Sequence, residues 1–187
     1  MKVIFLDNDG VICLSNNWGG RAKKWKKFKK LNPEVKNDKM APVNVRFDNF
    51  DKKSIKVLNE ILTETGAELV VSSDWKLHAT LDELGEYYLS QGIIKKPIAF
   101  TPNLDEFDSI TNDLFMWKRW LERKRILEIQ EYLEKNPNIE TWVAIDDLNM
   151  SPEANGNYGL KNFVLTPRSD EGIKQSGIKE KLLEYLK

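Results

Sequence analysis

Lys2-Val3-Ile4-Phe5-Leu6-Asp7-Asn8-Asp9-Gly10-Val11 is the stretch on which the reading of the fold turns. Its first five residues form an apolar, β-branched and aromatic run ended by turn formers, the pattern of a strand covered on both faces. Asp7 and Asp9 then stand just beyond its carboxyl end. In open α/β sheets ligands bind in the crevice outside the carboxyl ends of the strands. Two acids delivered to that edge are therefore a candidate site.

Working outward, the same pattern recurs. Glu68-Leu69-Val70-Val71 ends at Ser72-Ser73, Pro97-Ile98-Ala99-Phe100 at Thr101-Pro102, and Trp142-Val143-Ala144-Ile145 at Asp146-Asp147; Phe163-Val164-Leu165 is a fifth run. Between them lie helical periodicities. Asp51 N-caps a helix with Ile55, Leu58 and Leu62 on one face and Gly66 at its end. Leu77, Leu81, Leu84 and Tyr88 mark a second helix, on which His78 also falls, closed near Gly92. Ile126, Ile129 and Leu133 mark a third that runs to about Glu134, preceded by a polar stretch, Asp105 to Asp113. Ile178, Leu182, Tyr185 and Leu186 mark the last. Strands alternating with helices predict an α/β fold: a Rossmann-like parallel sheet with helices on both faces.

Residues 18–50 break this alternation. Seven of the ten positions 21–30 are Lys or Arg, and Trp18, Ala22, Trp25 and Phe28 follow helical spacing among them. That spacing predicts a basic amphipathic helix with an aromatic stripe, stopped by Asn32-Pro33 and followed by a loop to Asn49. The expected organisation is a catalytic core of residues 1–17 and 51–187, with residues 18–50 a small inserted cap after the first strand.

The bulk numbers narrow the classes. The 29 basic and 29 acidic residues cancel, so no global field points to nucleic acid or membrane, and any such preference must be local. No apolar run approaches the roughly 18 residues a spanning helix needs, so no membrane partner is expected. The single cysteine, Cys13, excludes an internal disulfide and suits a reducing compartment. The first strand begins at residue 2, which leaves no room for a leader peptide, and a cytoplasmic location is expected.

In a parallel sheet Asp7, Asp9, Ser72, Asp146 and Asp147 share one edge. Carboxylates brought together repel unless a cation neutralises them. Hard oxygen ligands without His or Cys select Mg²⁺ rather than zinc. A calcium loop is excluded: aligning Gly10 with its invariant glycine puts Phe5 and Asn16 where acids are required. The chemistry such a set can perform is phosphoryl transfer. Uncatalysed phosphate-monoester hydrolysis is so slow that rate enhancements reach ~10²¹-fold, and an aspartyl-phosphate divides the task into two steps. A carboxylate two residues on can protonate the leaving alcohol and then activate water. Ser72 can hydrogen-bond the phosphoryl oxygens, and Arg125 or Lys124 can offset their charge.

The order of elements resembles the haloacid dehalogenase (HAD) superfamily of phosphohydrolases over most of the chain. Its first motif is matched by Phe5-Leu6-Asp7-Asn8-Asp9-Gly10-Val11, its second by Leu69-Val70-Val71-Ser72, and its fourth by Ala144-Ile145-Asp146-Asp147. The resemblance implies that Asp7 is nucleophile and Mg²⁺ ligand. It also implies that Asp9 is general acid/base and gives its backbone carbonyl to the metal, with Asp146, and Asp147 beside it, completing the metal site. A narrower likeness is to the branch that includes HAD domains of RNA-repair proteins and related viral and bacterial phosphatases. It rests on Ser72-Ser73-Asp74-Trp75-Lys76, Thr101-Pro102 and Arg125-Ile126-Leu127-Glu128-Ile129. Lys76 stands where that branch has Arg, and the two bind phosphate differently; Lys76 and Arg125 are the candidate phosphate-binding cations, with Arg123 and Lys124 adjacent to the latter.

Each signal has a plainer reading. Ser73 can be a helix cap, Asp147 can cap a turn, Trp75 can be core, Lys76 can be solvated surface, and the basic run can be a solvated helix face. Jointly, the residues lead to a Mg²⁺-dependent phosphatase acting on a nucleotide or nucleic-acid end, with possible nucleic-acid contact through residues 21–30. The alternatives are a phosphatase for another small phosphorylated metabolite and a non-catalytic module that keeps the fold.

Overall fold

A computed structural model describes residues 1–104 and 114–187. The five apolar runs are β1 (Lys2–Leu6), β2 (Glu68–Val71), β3 (Ala99–Phe100), β4 (Thr141–Asp146) and β5 (Phe163–Leu165). They form one all-parallel sheet in the order β3-β2-β1-β4-β5. The polar stretch 105–113, expected to be loop or helix start, lies outside the described residues.

The helices are α1 (Gly20–Leu31), α2 (Val43–Arg46), α3 (Lys52–Thr65), α4 (Leu81–Gln91), α5 (Leu114–Lys135), α6 (Pro152–Asn155) and α7 (Ile178–Tyr185). Alternate residues of β1 feed two cores, because successive side chains of a strand point to opposite faces. Ile4 and Leu6 pack with Leu58, Leu84, Tyr88 and Leu182, that is, against α3, α4 and α7. Val3 and Phe5 pack with Ile126 and Ile129 of α5. The sheet is thus covered on both faces, as its unbroken apolar strands require. No described helix is long and apolar enough to cross a membrane.

Helix ends follow the local chemistry. The Asp51 carboxylate accepts the Ser54 N–H at 2.9 Å and Gly66 closes α3 in the left-handed region at φ 69°. One expectation needs correction. Leu77 and His78 are not on α4: Leu77 ends a 3-10 turn, Asp74–Leu77, His78 follows it, and both are exposed. Thr80 and Glu83 form a reciprocal capping box that starts the helix after them.

Residues 18–50 contain α1, as the aromatic spacing predicts, although Trp18 lies ahead of it. The expected loop after it holds α2 and a 3-10 turn, Asp38–Met40. The start of α1 is tied down from far along the chain: buried Asp48 accepts the N–H of Gly19 at 3.1 Å and that of Arg21. Lys24, within the basic run, is a structural strut whose Nζ reaches Phe47 O at 2.8 Å and Asn49 Oδ1 at 2.6 Å. Phe47 and Phe50 stack on Trp75, with ring centroids 4.3 and 5.3 Å away, and fasten the segment to the 3-10 turn.

Arg46 completes the attachment by gripping Glu83 of α4 with both terminal guanidinium nitrogens. These hydrogen bonds from Arg46 hold the Glu83 carboxyl down at about 2. An unfolded Glu titrates near ~4.3. The contact therefore contributes its full stability above that value and loses it as pH falls toward 2. Thermal unfolding of wild type and Glu83→Gln should differ at pH 6 and converge by about pH 2; the amide keeps the capping role. A difference independent of pH would mean that the ion pair contributes nothing.

Candidate active site

Register assembles the site. Leu6 lies opposite Val71 of β2 and Ile145 of β4, so the next residues, Asp7, Ser72 and Asp146, stand side by side at one edge of the sheet. Backbone bonds hold them there: Asp7 N–H to Ile145 O at 3.1 Å, and Ser72 N–H to Leu6 O at 2.9 Å. After Asp7 the chain turns sharply, the Asn8 carbonyl accepting the N–H groups of Ile12 at 3.0 Å and Cys13 at 2.8 Å. Asn8 alternates to the other side of the strand, where its Oδ1 accepts the Tyr88 hydroxyl at 2.5 Å.

Gly10 makes this turn possible at φ 71°, and a Cβ there would collide with the Asp147 carboxylate. An L side chain in that region costs about 1–2 kcal/mol before any clash. Gly10→Ala should therefore lower stability by at least about that amount in urea titration, and should displace Asp147. An unchanged midpoint would show that the turn has another conformation.

Asp7, Asp146 and Asp147 each present a carboxylate oxygen within 4.8 Å of the others'. Burial, then the neighbouring Asp146, pushes the Asp7 carboxyl well up, against the pull of Arg125. Burial also raises Asp146, which Arg125 opposes and Asp147 reinforces. Asp147 is raised by burial and by Asp9. Three hard oxygen donors, crowded and short of positive charge, suit a small divalent cation such as Mg²⁺. Asp146 also accepts the Leu148 N–H at 2.8 Å, which helps hold the turn after β4.

Asp9 stands apart from this trio. Its Oδ2 accepts the indole N–H of Trp75 at 2.8 Å. Burial raises its carboxyl, with the Trp75 hydrogen bond opposing. Trp75 is core, as its plain reading has it, and a positioning donor as well. The Ser72 hydroxyl is buried and has no hydrogen-bond partner among the described residues. A buried, unpartnered hydroxyl at a strand tip is a vacancy in hydrogen bonding that a ligand oxygen would fill. Ser73 sits buried at the start of the 3-10 turn, and its side chain makes no cap bond.

The three adjacent cations of α5 separate cleanly. Arg123 lies 4.0 Å over the Tyr158 ring and Lys124 5.5 Å from the Trp120 ring. Arg125 alone of the three turns inward, where its guanidinium donates to Asp7 Oδ1 at 3.0 Å, to Asp74 Oδ1 at 3.2 Å and to the Ser72 carbonyl. Burial works against its charge, but Asp146 and Asp7 more than compensate and hold the proton firmly. Lys76 is not solvated surface. Its Nζ donates to Glu128 Oε2 at 2.6 Å, Pro102 O at 2.9 Å and Thr101 Oγ1 at 3.0 Å, which uses all three of its donors.

Trp75 and Glu128 enter the sequence reading only as motif positions, without a role in the site, and Asp48 does not enter it. Glu128 had a usable signal: three residues after Arg125 on a helix, it shares that face. For Asp48 no local pattern exists.

The site also has a wall. Trp18, Arg21, Asp48 and Trp75 line a cavity of about 520 Å³ that opens on Asp9. Comparison with known families completes the description: the sequence model of the family described as "HAD domain in Swiss Army Knife RNA repair proteins" matches residues 3–177. No curated protein and no solved structure matches the chain.

Proposed function

The chain belongs to the family of HAD domains in Swiss Army Knife RNA repair proteins, and from that premise we propose that it is a phosphatase-type hydrolase that uses Mg²⁺ and acts on a phosphate monoester of a nucleotide or nucleic-acid end. The observation that carries the proposal is the juxtaposition at the tip of the central strand. There Asp7 lies beside the unpartnered Ser72 hydroxyl and the Arg125 guanidinium.

In this reading Asp7 Oδ attacks phosphorus and the bond to the leaving oxygen breaks. Asp9 gives that oxygen its proton, consistent with a carboxyl whose burial favours the protonated form. The deprotonated Asp9 then takes a proton from water as the water attacks the aspartyl-phosphate, which releases phosphate and restores Asp7. The indole of Trp75 fixes where the Asp9 proton is delivered. Ser72 and Arg125 receive the phosphoryl oxygens. Lys76, whose donors are all engaged, contributes charge from behind the site and holds the loop at Thr101-Pro102. Asp7, Asp146 and Asp147, with the Asp9 carbonyl, would hold Mg²⁺, which when bound supplies charge neutralisation to the phosphoryl group. Residues 18–50 serve as the cap over this edge, in a cytoplasmic protein.

Phosphate release from an aryl phosphate tests the reading. Release should require Mg²⁺, stop on chelation and return on readdition. Metal-independent release at the same rate would remove the acidic trio from the proposal.

A further inference from the structure

The cavity on Asp9 does not end there. It shares Arg21 and Ala22 with a second cavity of about 590 Å³, whose lining includes Trp25, Lys36, Lys39 and His78. The two therefore adjoin and lead from the proposed acid/base away from the sheet, between α1 and the stretch that precedes α2. On the assumption that the phosphatase reading holds, we propose that this groove is a subsite for the nucleotides next to the scissile phosphate. The preferred substrate is then a single-stranded oligonucleotide with a terminal phosphate, in preference to a mononucleotide.

The first cavity has an aromatic side and a cationic side. Trp18 is 47% exposed, yet its ring is held in place by the indole N–H bond to Cys13 O at 3.2 Å. A fixed, exposed indole beside the reacting centre is a platform on which any base can stack. Arg21 is on the first turn of α1, held by the bonds from Gly19 and Arg21 N–H to Asp48. Its side chain lines the same cavity as Asp9.

The second cavity is where a chain longer than one nucleotide would be felt. Lys36 and Lys39 are exposed there, and neither they nor Arg21 enter any ion pair among the described residues. Arg46, also in the lining, is committed to Glu83. Three cations without an ion pair among the described residues, against one acid of the second lining, Asp38, leave positive charge along a groove that starts at the proposed phosphate site, which serves a polyanion and has no use with a substrate of one phosphate.

This assigns the cationic run differently from its sequence pattern. Of its seven cations only Arg21 lines the groove; Lys24 is a strut, and Lys29 is bonded to Pro33 O at 3.1 Å and to Val35 O. The cations that matter beyond it, Lys36 and Lys39, lie outside the run.

The test compares kcat/KM for an aryl phosphate, a mononucleotide and pentanucleotides phosphorylated at either end. Wild type should prefer one pentanucleotide over the mononucleotide, with a rate that falls as salt rises. The double variant Lys36→Ala/Lys39→Ala should reduce the ratio of pentanucleotide to aryl phosphate turnover on the order of tenfold, and should flatten the slope of log kcat/KM against log salt by roughly one to one and a half. Lys26→Ala/Lys30→Ala, which removes the same charge from α1 outside both cavities, should leave that ratio at the wild-type value. Turnover of the aryl phosphate without any preference for pentanucleotides overturns the groove assignment and leaves the phosphatase reading standing. Equal losses in the two double variants overturn it too, since charge alone would then explain the effect. Wild type that releases phosphate from none of the probes overturns the phosphatase reading itself, and the subsite with it.

Discussion

Asp7→Asn should lower Mg²⁺-dependent phosphate release by about 10⁴-fold or more, the scale expected when a nucleophile is removed and binding groups are left in place. The amide is nearly isosteric, and its oxygen can still accept from Arg125, which donates to Asp7 Oδ1 at 3.0 Å. What it lacks is a carboxylate lone pair able to form the phosphoryl ester. The fold should not suffer. Burial and Asp146 push the Asp7 carboxyl up, so its ionised form opposes folding near neutrality in the absence of metal. Arg125 retains Asp146 and Asp74 as partners. The metal-free variant should therefore melt no lower than wild type while turnover of an aryl phosphate disappears. Equal release by the two proteins would end the nucleophile assignment. A collapsed melting curve would show that Asp7 is structural.

Glu128→Ala should cost about 3–5 kcal/mol of stability, the range for breaking a buried ion pair from one side. The pair of Lys76 and Glu128 is 4% and 2% exposed at its side chains. Burial already makes the ammonium less favourable than in water, with Glu128 as its main support. Without that carboxylate the charge remains buried against Thr101 Oγ1 and Pro102 O alone. The pH dependence has a definite sign. A lysine whose folded pKa lies below its unfolded value of ~10.4 releases its proton more easily when folded, so stability rises with pH through that window. The variant's deficit in urea titrations should thus shrink between pH 7 and pH 10. Lys76→Met combined with Glu128→Leu should recover most of the loss, since apolar groups of similar volume replace such pairs at little cost. A single-variant loss within about 0.5 kcal/mol, the range of ordinary surface changes, would mean that water reaches the pair.

Ser72, Asp7 and Asp146 could be placed together from sequence because only chain direction and strand ends were needed. In a parallel sheet every carboxyl end falls on one edge, and the apolar runs announce where those ends are. Leu77 went astray for a local reason: its spacing to Leu81 and Leu84 is helical, but the capping box of Thr80 and Glu83 outweighs that spacing and starts the helix later. Lys76 was undecidable because nothing nearby says whether a lysine is solvated; its partner is 52 residues away.

The sequence by itself determined the α/β class, the order of elements and the acids and hydroxyl that stand at the strand tips, since period, capping and strand termination are short-range properties. It also contained the motifs of the family whose match spans residues 3–177. Tertiary structure alone decided which way side chains turn once the elements pack. Arg123, Lys124 and Arg125 are consecutive on a helix and so point about 100° apart, and only contact with the sheet brings Arg125 to Asp7. Likewise only the remote Asp48 carboxylate, the Arg46 grip on Glu83 and the stack of Phe47 on Trp75 determine which face of residues 18–50 looks toward Asp9. Direction along a strand is written in the chain, whereas direction around a helix is chosen by what it meets.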